Sequence, residues 1–175
     1  MPSIRLPHPL RRAALAAVAV AFAAALPARA QQPPDDGIRI DIPVVLKQAK
    51  IVLNLDHPAF EGDEPTGLQF LRIMTQRFAA DATQASLVAI FHGDAGYMGL
   101  DDAAYDRVRH WQGGNPYKAQ IAALQQAGVQ FEECAETMRL NHWRNADLLP
   151  GIKTNTGANF RLVQLVQEGY VAIQP

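Results

Sequence analysis

The chain has 175 residues, 16 Lys and Arg against 17 Asp and Glu for a formal net charge of −1, and one cysteine, Cys134. That balance argues against nucleic acid as a partner, because phosphates call for a basic face. A single cysteine excludes an internal disulfide.

The first thirty residues read as an export signal. Arg5, Arg11 and Arg12 form a basic start, residues 13–26 are almost wholly small and apolar, and Ala28-Arg29-Ala30 has the A-x-A form of a cleavage site. A retained membrane helix needs ~20 apolar residues, and this run stops short at Leu26-Pro27. Cleavage would leave Gln31 first and place the mature protein in the periplasm or outside the cell. It removes four of the 16 basic residues (Arg5, Arg11, Arg12, Arg29) and none of the 17 acidic ones, so the net charge moves from −1 to −5. No second run is long enough to span a membrane, so a span is not expected after cleavage. Residues 31–47, "QQPPDDGIRIDIPVVLK", read as a partly flexible leader in which Ile38, Ile40 and Ile42 suggest a brief edge strand. Residues 48–175 are expected to form one domain.

Beyond the leader two kinds of apolar pattern alternate. "KIVLNLD" (50–56) is a short β-branched run. Residues 66–80 place Phe70, Met74 and Phe78 at i, i+4, i+8 with Leu71 beside them, which predicts one buried helix face. "SLVAIFHG" (86–93) is a second strand, and "DDAAYDRVRHW" a helix with two acidic residues where the helix dipole favours them. In "GGNPYKAQIAALQQAG", Asn115 is the expected N-cap, Pro116 the first helical residue and Gly128 the stop. "VQFEEC" (129–134) is strand-like, "AETMRLNHW" helix-like, "GIKTNTG" a short strand, "NFRLVQLVQEG" a helix and "YVAIQ" a closing strand. Five strands alternating with helices predict an α/β domain with three layers, a mainly parallel sheet flanked by helices on both sides. In such sheets a site lies beyond the carboxyl ends of the strands, near where the strand order reverses.

Cys134 ends the third strand and precedes a helix. Backbone N–H groups at a helix start stabilise a thiolate, whereas the neighbouring Glu133 and Glu136 oppose a second negative charge, so the residues leave the net direction open. The alternative is a small buried hydrophobe, the usual state of a free cysteine. The second candidate stretch is "FHGDAGYMGLDD", where glycines at 93, 96 and 99 permit tight turns and close approach, and His92 and Asp94 offer proton-transfer or hydrogen-bonding groups. It lacks both G-x-G-x-x-G and G-x-x-x-x-G-K, so neither nucleotide fingerprint is present. No H-x-x-x-H, H-E-x-x-H or C-x-x-C spacing points to a metal, and no G-x-S-x-G points to a hydrolase.

The strand end "FHGDAGYMGL", the stretch "NPYKAQIAALQQAGVQFEECAETM", then "LLPGI" and the closing "LVQEGYVAIQP" together resemble the DsrE/DsrF-like family, which includes subunits of bacterial sulfur-relay complexes. The resemblance implies a five-stranded parallel α/β sandwich assembled into trimers or hexamers, needing no cofactor or metal. It also implies a cysteine that carries sulfur as a persulfide at this strand-to-helix position, here Cys134, with donor and acceptor proteins as partners. From the second stretch, His92, Gly93 and Asp94 are the residues expected to support such a carrier. The sulfur-relay members are cytoplasmic, whereas this chain carries an export signal. The alternative reading is an exported, non-catalytic oligomeric binding or scaffold module in which Cys134 is inert.

Overall fold

The apolar runs become strands because each has a core to face on both sides. In the computed structural model, which describes residues 37–175, the first strand is β1 (Gln48–Leu55), followed by a two-residue hairpin of β2 (Phe60–Glu61) and β3 (Glu64–Pro65), helix α1 (Thr66–Ala80) and strand β4 (Gln84–Phe91). A 3₁₀ turn over Gly93–Gly99 leads to α2 (Asp102–Arg109), α3 (Lys118–Gln126), β5 (Val129–Cys134) and α4 (Ala135–Leu140). A second 3₁₀ turn, Asn145–Asp147, precedes β6 (Lys153–Asn155), α5 (Ala158–Gln167) and β7 (Val171–Ile173). The expected export signal and the start of the leader lie outside the described residues.

The main sheet has the order β6-β5-β4-β1-β7, and every pairing in it is parallel. One face carries Ile51, Leu53, Leu55, Leu87, Ala89, Phe91, Val129 and Phe131, and packs against Leu68 and Leu71 of α1, Ala104 and Tyr105 of α2, Ile121 and Leu124 of α3 and Met138 of α4. The other face is smaller: Val52, Val88, Ile90 and Cys134 meet Ala158 and Leu165 of α5. Successive connections from β1 to β4, β5 and β6 step across the sheet in one direction, and α5 returns the chain to the far side of β1 as β7. A crossover of constant hand changes face when its direction reverses, which accounts for four helices on one face and α5 alone on the other.

Some local expectations shift. The deepest residues of α1 are Leu68 and Leu71, both fully buried, while Phe70, Met74 and Phe78 are partly buried against the same core. Helix α3 begins at Lys118 rather than Pro116. Asn115 keeps a capping role, taking the Tyr117 N–H at 2.8 Å while its amide donates to the Met98 carbonyl at 2.9 Å. Residues 37–47 include no regular strand, and Ile40 and Ile42 are exposed, because β-prone residues make a strand only beside a ladder.

Phe131 is fully buried and stacks on Phe91 with ring centroids 5.5 Å apart, joining β5 to β4 in the middle of the larger core. A Phe131→Ala variant is expected to lose about 3–5 kcal/mol of stability, measured by urea unfolding; a loss below ~1 kcal/mol would show that this core is not what holds β5 in register.

Candidate functional site

After β5 the chain leaves the sheet toward the larger core through α4, and after β6 it leaves toward the opposite face through α5. Adjacent strands whose connections part in this way open a crevice beyond their carboxyl ends. Cys134, the last residue of β5, lies buried where the two connections part, with Asn155 of β6 as its ladder partner. Its sulfur accepts the Ala158 N–H at 3.3 Å from the first turn of α5. Burial, the largest single influence, pushes the thiol pKa up. It is outweighed by the N–H groups of Thr137 and Ala158, the Thr137 hydroxyl and the Glu136 N–H, which hold the pKa below its ordinary value of 9.0. Two helix starts therefore converge on one sulfur, and only α4 follows Cys134 directly in sequence. The residue is 4% exposed.

Glu132, two residues earlier on the same face, fixes the second helix start. Arg161 donates to it from Nε at 3.1 and 3.0 Å and from Nη2 at 3.0 Å, Gln130 at 2.7 Å and Asn155 at 3.1 Å. The carboxylate is buried, so the pair is shielded from solvent.

The other face of β5 holds Glu133, fully buried, with its Oε1 accepting the Cys134 N–H at 3.2 Å and its Oε2 without a hydrogen-bond partner. Burial pushes its pKa well above the ordinary carboxylate range, so the carboxyl favours its neutral form and adds little repulsion to a thiolate. Glu136 is exposed and paired with Arg139. The opposition expected from these two carboxylates is thus removed by burial of one and solvent and pairing of the other.

The glycine turn makes room for Glu133. A Cβ on Gly96 would sit 3.0 Å from Glu133 Oε1 and 2.9 Å from the Thr137 methyl, and one on Gly99 would sit 3.0 Å from Glu133 Oε2. Gly93 has φ +54° and would bring a Cβ within 2.8 Å of the Asp56 carbonyl. Its N–H donates to the Thr137 hydroxyl at 2.9 Å, which ties the turn to the start of α4 and to the sulfur. Asp94 contributes its backbone, with N–H to the Asp56 carbonyl at 2.9 Å, while its side chain is exposed.

His92 follows β4 with extended backbone, and the register Phe91↔Glu133 brings it level with Cys134 on the same face. Its Nε2 meets Asn54 Oδ1 at 2.7 Å, Asn54 Nδ2 meets Gln174 Oε1 at 3.2 Å, and Gln174 Nε2 meets both Asp56 oxygens at 2.9 Å. Burial alone would raise the Asp56 pKa, but the His57 and Gln174 hydrogen bonds hold it below its usual value. An ionised Asp56 only accepts, so each amide in turn points its oxygen toward His92, and Nε2 is the donor. Burial lowers the His92 pKa against the pull of Asp56, leaving a neutral ring whose basic nitrogen is Nδ1.

Among the described residues no group of three His, Cys, Asp or Glu side chains is placed to hold a metal ion, and no helix is long and apolar enough to cross a membrane. The model of the DsrE/DsrF-like family matches residues 48–175. The chain belongs to that family. The fold is similar to that of MTH1491, a protein of unknown function from Methanobacterium thermoautotrophicum, at 19% identity and a TM-score of 0.57 over 73% of this chain and 99% of that one. The ychN protein from E. coli also aligns, at 16% identity and a TM-score of 0.48, over 72% and 99% of the two chains. No curated protein matches.

Sequence reasoning named Cys134, His92 and Gly93, which the structure gathers at one end of the sheet, and Asp94, whose carboxylate stands apart from them. It missed Thr137, Ala158, Asn54, Gln174 and the Glu132–Arg161 pair. Only Thr137 had a local signal, a hydroxyl three residues beyond the cysteine at a helix start.

Because Glu133 has a raised pKa in the folded state, the stability it contributes is complete below the unfolded value near 4.5 and is lost as pH rises through the folded value. In a Cys134→Ser background, where the thiol does not titrate, Glu133→Gln is expected to flatten the fall in Tm above that pH. Parallel Tm profiles with and without the substitution would show that Glu133 is not held neutral.

Proposed function

We propose that the protein carries sulfane sulfur on Cys134, within the sulfur-relay chemistry to which its family is often related. The observation that supports this is the convergence of N–H groups from two helix starts, with the Thr137 hydroxyl, on the one thiol of the chain. In the loading step the Cys134 thiolate attacks the terminal sulfur of a donor persulfide: a new S–S bond forms, the donor S–S bond breaks, and the donor sulfur leaves with the electron pair as a thiolate. In the unloading step an acceptor thiolate attacks the terminal sulfur on Cys134, and Cys134 departs as a thiolate. No net oxidation occurs. The same stabilised anion is nucleophile in one step and leaving group in the other, so a lowered pKa serves both. His92 Nδ1 is the group that would accept or return the proton of the persulfide.

A second reading has its own observation. Cys134 is packed with Val52, Val88, Ile90, Ala158 and Leu165, as a structural cysteine in a binding or scaffold module would be. Intact mass separates the two. After incubation with inorganic polysulfide, protein expressed with its leader is expected to gain one sulfur atom per chain, lost on reduction and absent in Cys134→Ser. The same spectrum is expected to show Gln31 as the first residue of exported protein. A Cys134→Ser protein that loads equally, or a wild type that never loads, would leave the scaffold reading; a retained leader would remove the export proposal.

The proposed assembly is a homo-oligomer, a trimer or hexamer before a dimer. Among the large aromatic residues of the helical segments, Tyr117 and Trp143 pack against the core and Trp111 is 58% exposed. The outer face of α5 adds Phe160, Val163 and Val166, each at least half exposed. Light scattering at micromolar concentration is expected to give a multiple of the chain mass; a single-chain mass would overturn the assembly.

A further inference from the structure

The N–H that reaches the sulfur from α5 belongs to a residue 24 positions beyond Cys134, so something other than chain continuity has to bring it there. Arg161 lies three residues after Ala158 on the same helix, and Glu132 lies two residues before Cys134 on the same strand face. The guanidinium closes on the carboxylate through Nε and Nη2, with contacts of 3.0–3.1 Å. One pair of elements thus makes two contacts, N–H to sulfur at its open end and guanidinium to carboxylate one turn inward. Gln130 and Asn155 fill the remaining acceptor positions on Glu132, and Lys153 donates to Gln130 at 2.6 Å, so the carboxylate is fixed from β5 and β6 as well. Glu132 is 3% exposed, and a planar two-nitrogen grip sets orientation as well as distance.

We propose that Arg161 and Glu132 are positioning residues for the sulfur chemistry: their ion pair holds the first turn of α5 against β5 and thereby sets how readily the Cys134 sulfur becomes an anion. This rests on the carrier reading only for its consequence, since the geometry holds whatever Cys134 does with its thiolate. The charged and titratable groups around the sulfur are Glu132 and Glu133 on β5, Glu136 on α4, His92 after β4, Lys153 on β6 and Arg161 on α5.

Charge and position make opposite predictions for one substitution. Glu132→Gln removes a negative charge and leaves Arg161 unneutralised, so electrostatics alone would favour the thiolate. Loss of the grip would instead withdraw the Ala158 N–H and disfavour it. The measurement is the pH dependence of iodoacetamide alkylation of the mature chain, in which the midpoint reads ionisation and the plateau reads access. Glu132→Gln and Arg161→Met are each expected to raise the midpoint so that the thiolate fraction at neutral pH falls about tenfold, the loss of one hydrogen bond to an anion. Arg161→Lys, which keeps the charge but not the two-nitrogen grip, is expected to fall between them and wild type. Circular dichroism shows which variants are folded, and the near-isosteric Glu132→Gln decides the matter should Arg161→Met not fold. A midpoint that stays in place or drops in Glu132→Gln overturns the proposal, as does a change confined to the plateau. Polysulfide loading of wild type is read separately. Shifted midpoints with no loading would keep the positioning role and end the carrier reading, and loading with unshifted midpoints would do the reverse.

Discussion

A right-handed return from β6 to β7 has to pass over the face of the sheet that the earlier connections leave empty, because the direction of travel across the sheet is reversed. That requirement parts α4 from α5 between two neighbouring strands, and the place where they part is the carboxyl end of β5. Cys134 faces the starts of both helices, and its anion is favoured by backbone N–H groups already oriented by the fold, with the Thr137 hydroxyl. The chemistry proposed for the site thus depends on connectivity before it depends on any side chain.

The two consecutive glutamates of β5 show how the pleat assigns opposite roles to identical residues. Glu132 points to the α5 face, where a guanidinium and two amides meet it, and Glu133 points to the larger core, where it is pushed toward its neutral form. A carboxylate there would face Cys134 without a counter-ion. The spacing of the turn makes a neutral carboxyl fit: Gly96 and Gly99 leave room for its two oxygens, so the glycines that look like loop punctuation are packing residues for the back of the site.

The strands and helices of the domain were legible because their signals are local: β-branched runs for β1 and β4, two acidic residues at the start of α2, where Asp101 proves to be the N-cap, and a glycine with φ +93° after α3. The position of Cys134 was legible for the same reason. What failed was whatever needed a distant partner. Ile40 and Ile42 carry the alternation of a strand but lie outside any regular strand, and Phe70, Met74 and Phe78 mark a flank of α1 rather than its deepest face, since Leu68 and Leu71 meet the sheet more squarely. The sign of the thiol shift could not be read either, because burial opposes the donors of Thr137, Ala158 and Glu136 and the Ala158 N–H arrives from a distant helix, while the environment that neutralises Glu133 comes from a turn some forty residues upstream. The amide row from His92 to Asp56 joins residues up to 120 positions apart, beyond any periodicity.

Burial of the sulfur and the proposed exchange of sulfur pull in different directions, and the two halves of the cover differ. On the α4 side Thr137 is held by the Gly93 N–H, and its carbonyl takes the Asn141 amide, so that half of the cover is part of the core. On the α5 side the cover rests on the sheet through the Glu132–Arg161 pair and on the few apolar contacts of the smaller face. A sulfane sulfur on Cys134 adds one atom beyond a sulfur that is already enclosed, so loading displaces neighbours unless one half of the cover yields. The half with the smaller apolar contact has less to lose by yielding. The same contact that stabilises the anion is then the one a loaded sulfur would press upon, and the affinity of the site for thiolate and its tolerance of persulfide are set against each other in the first turn of one helix.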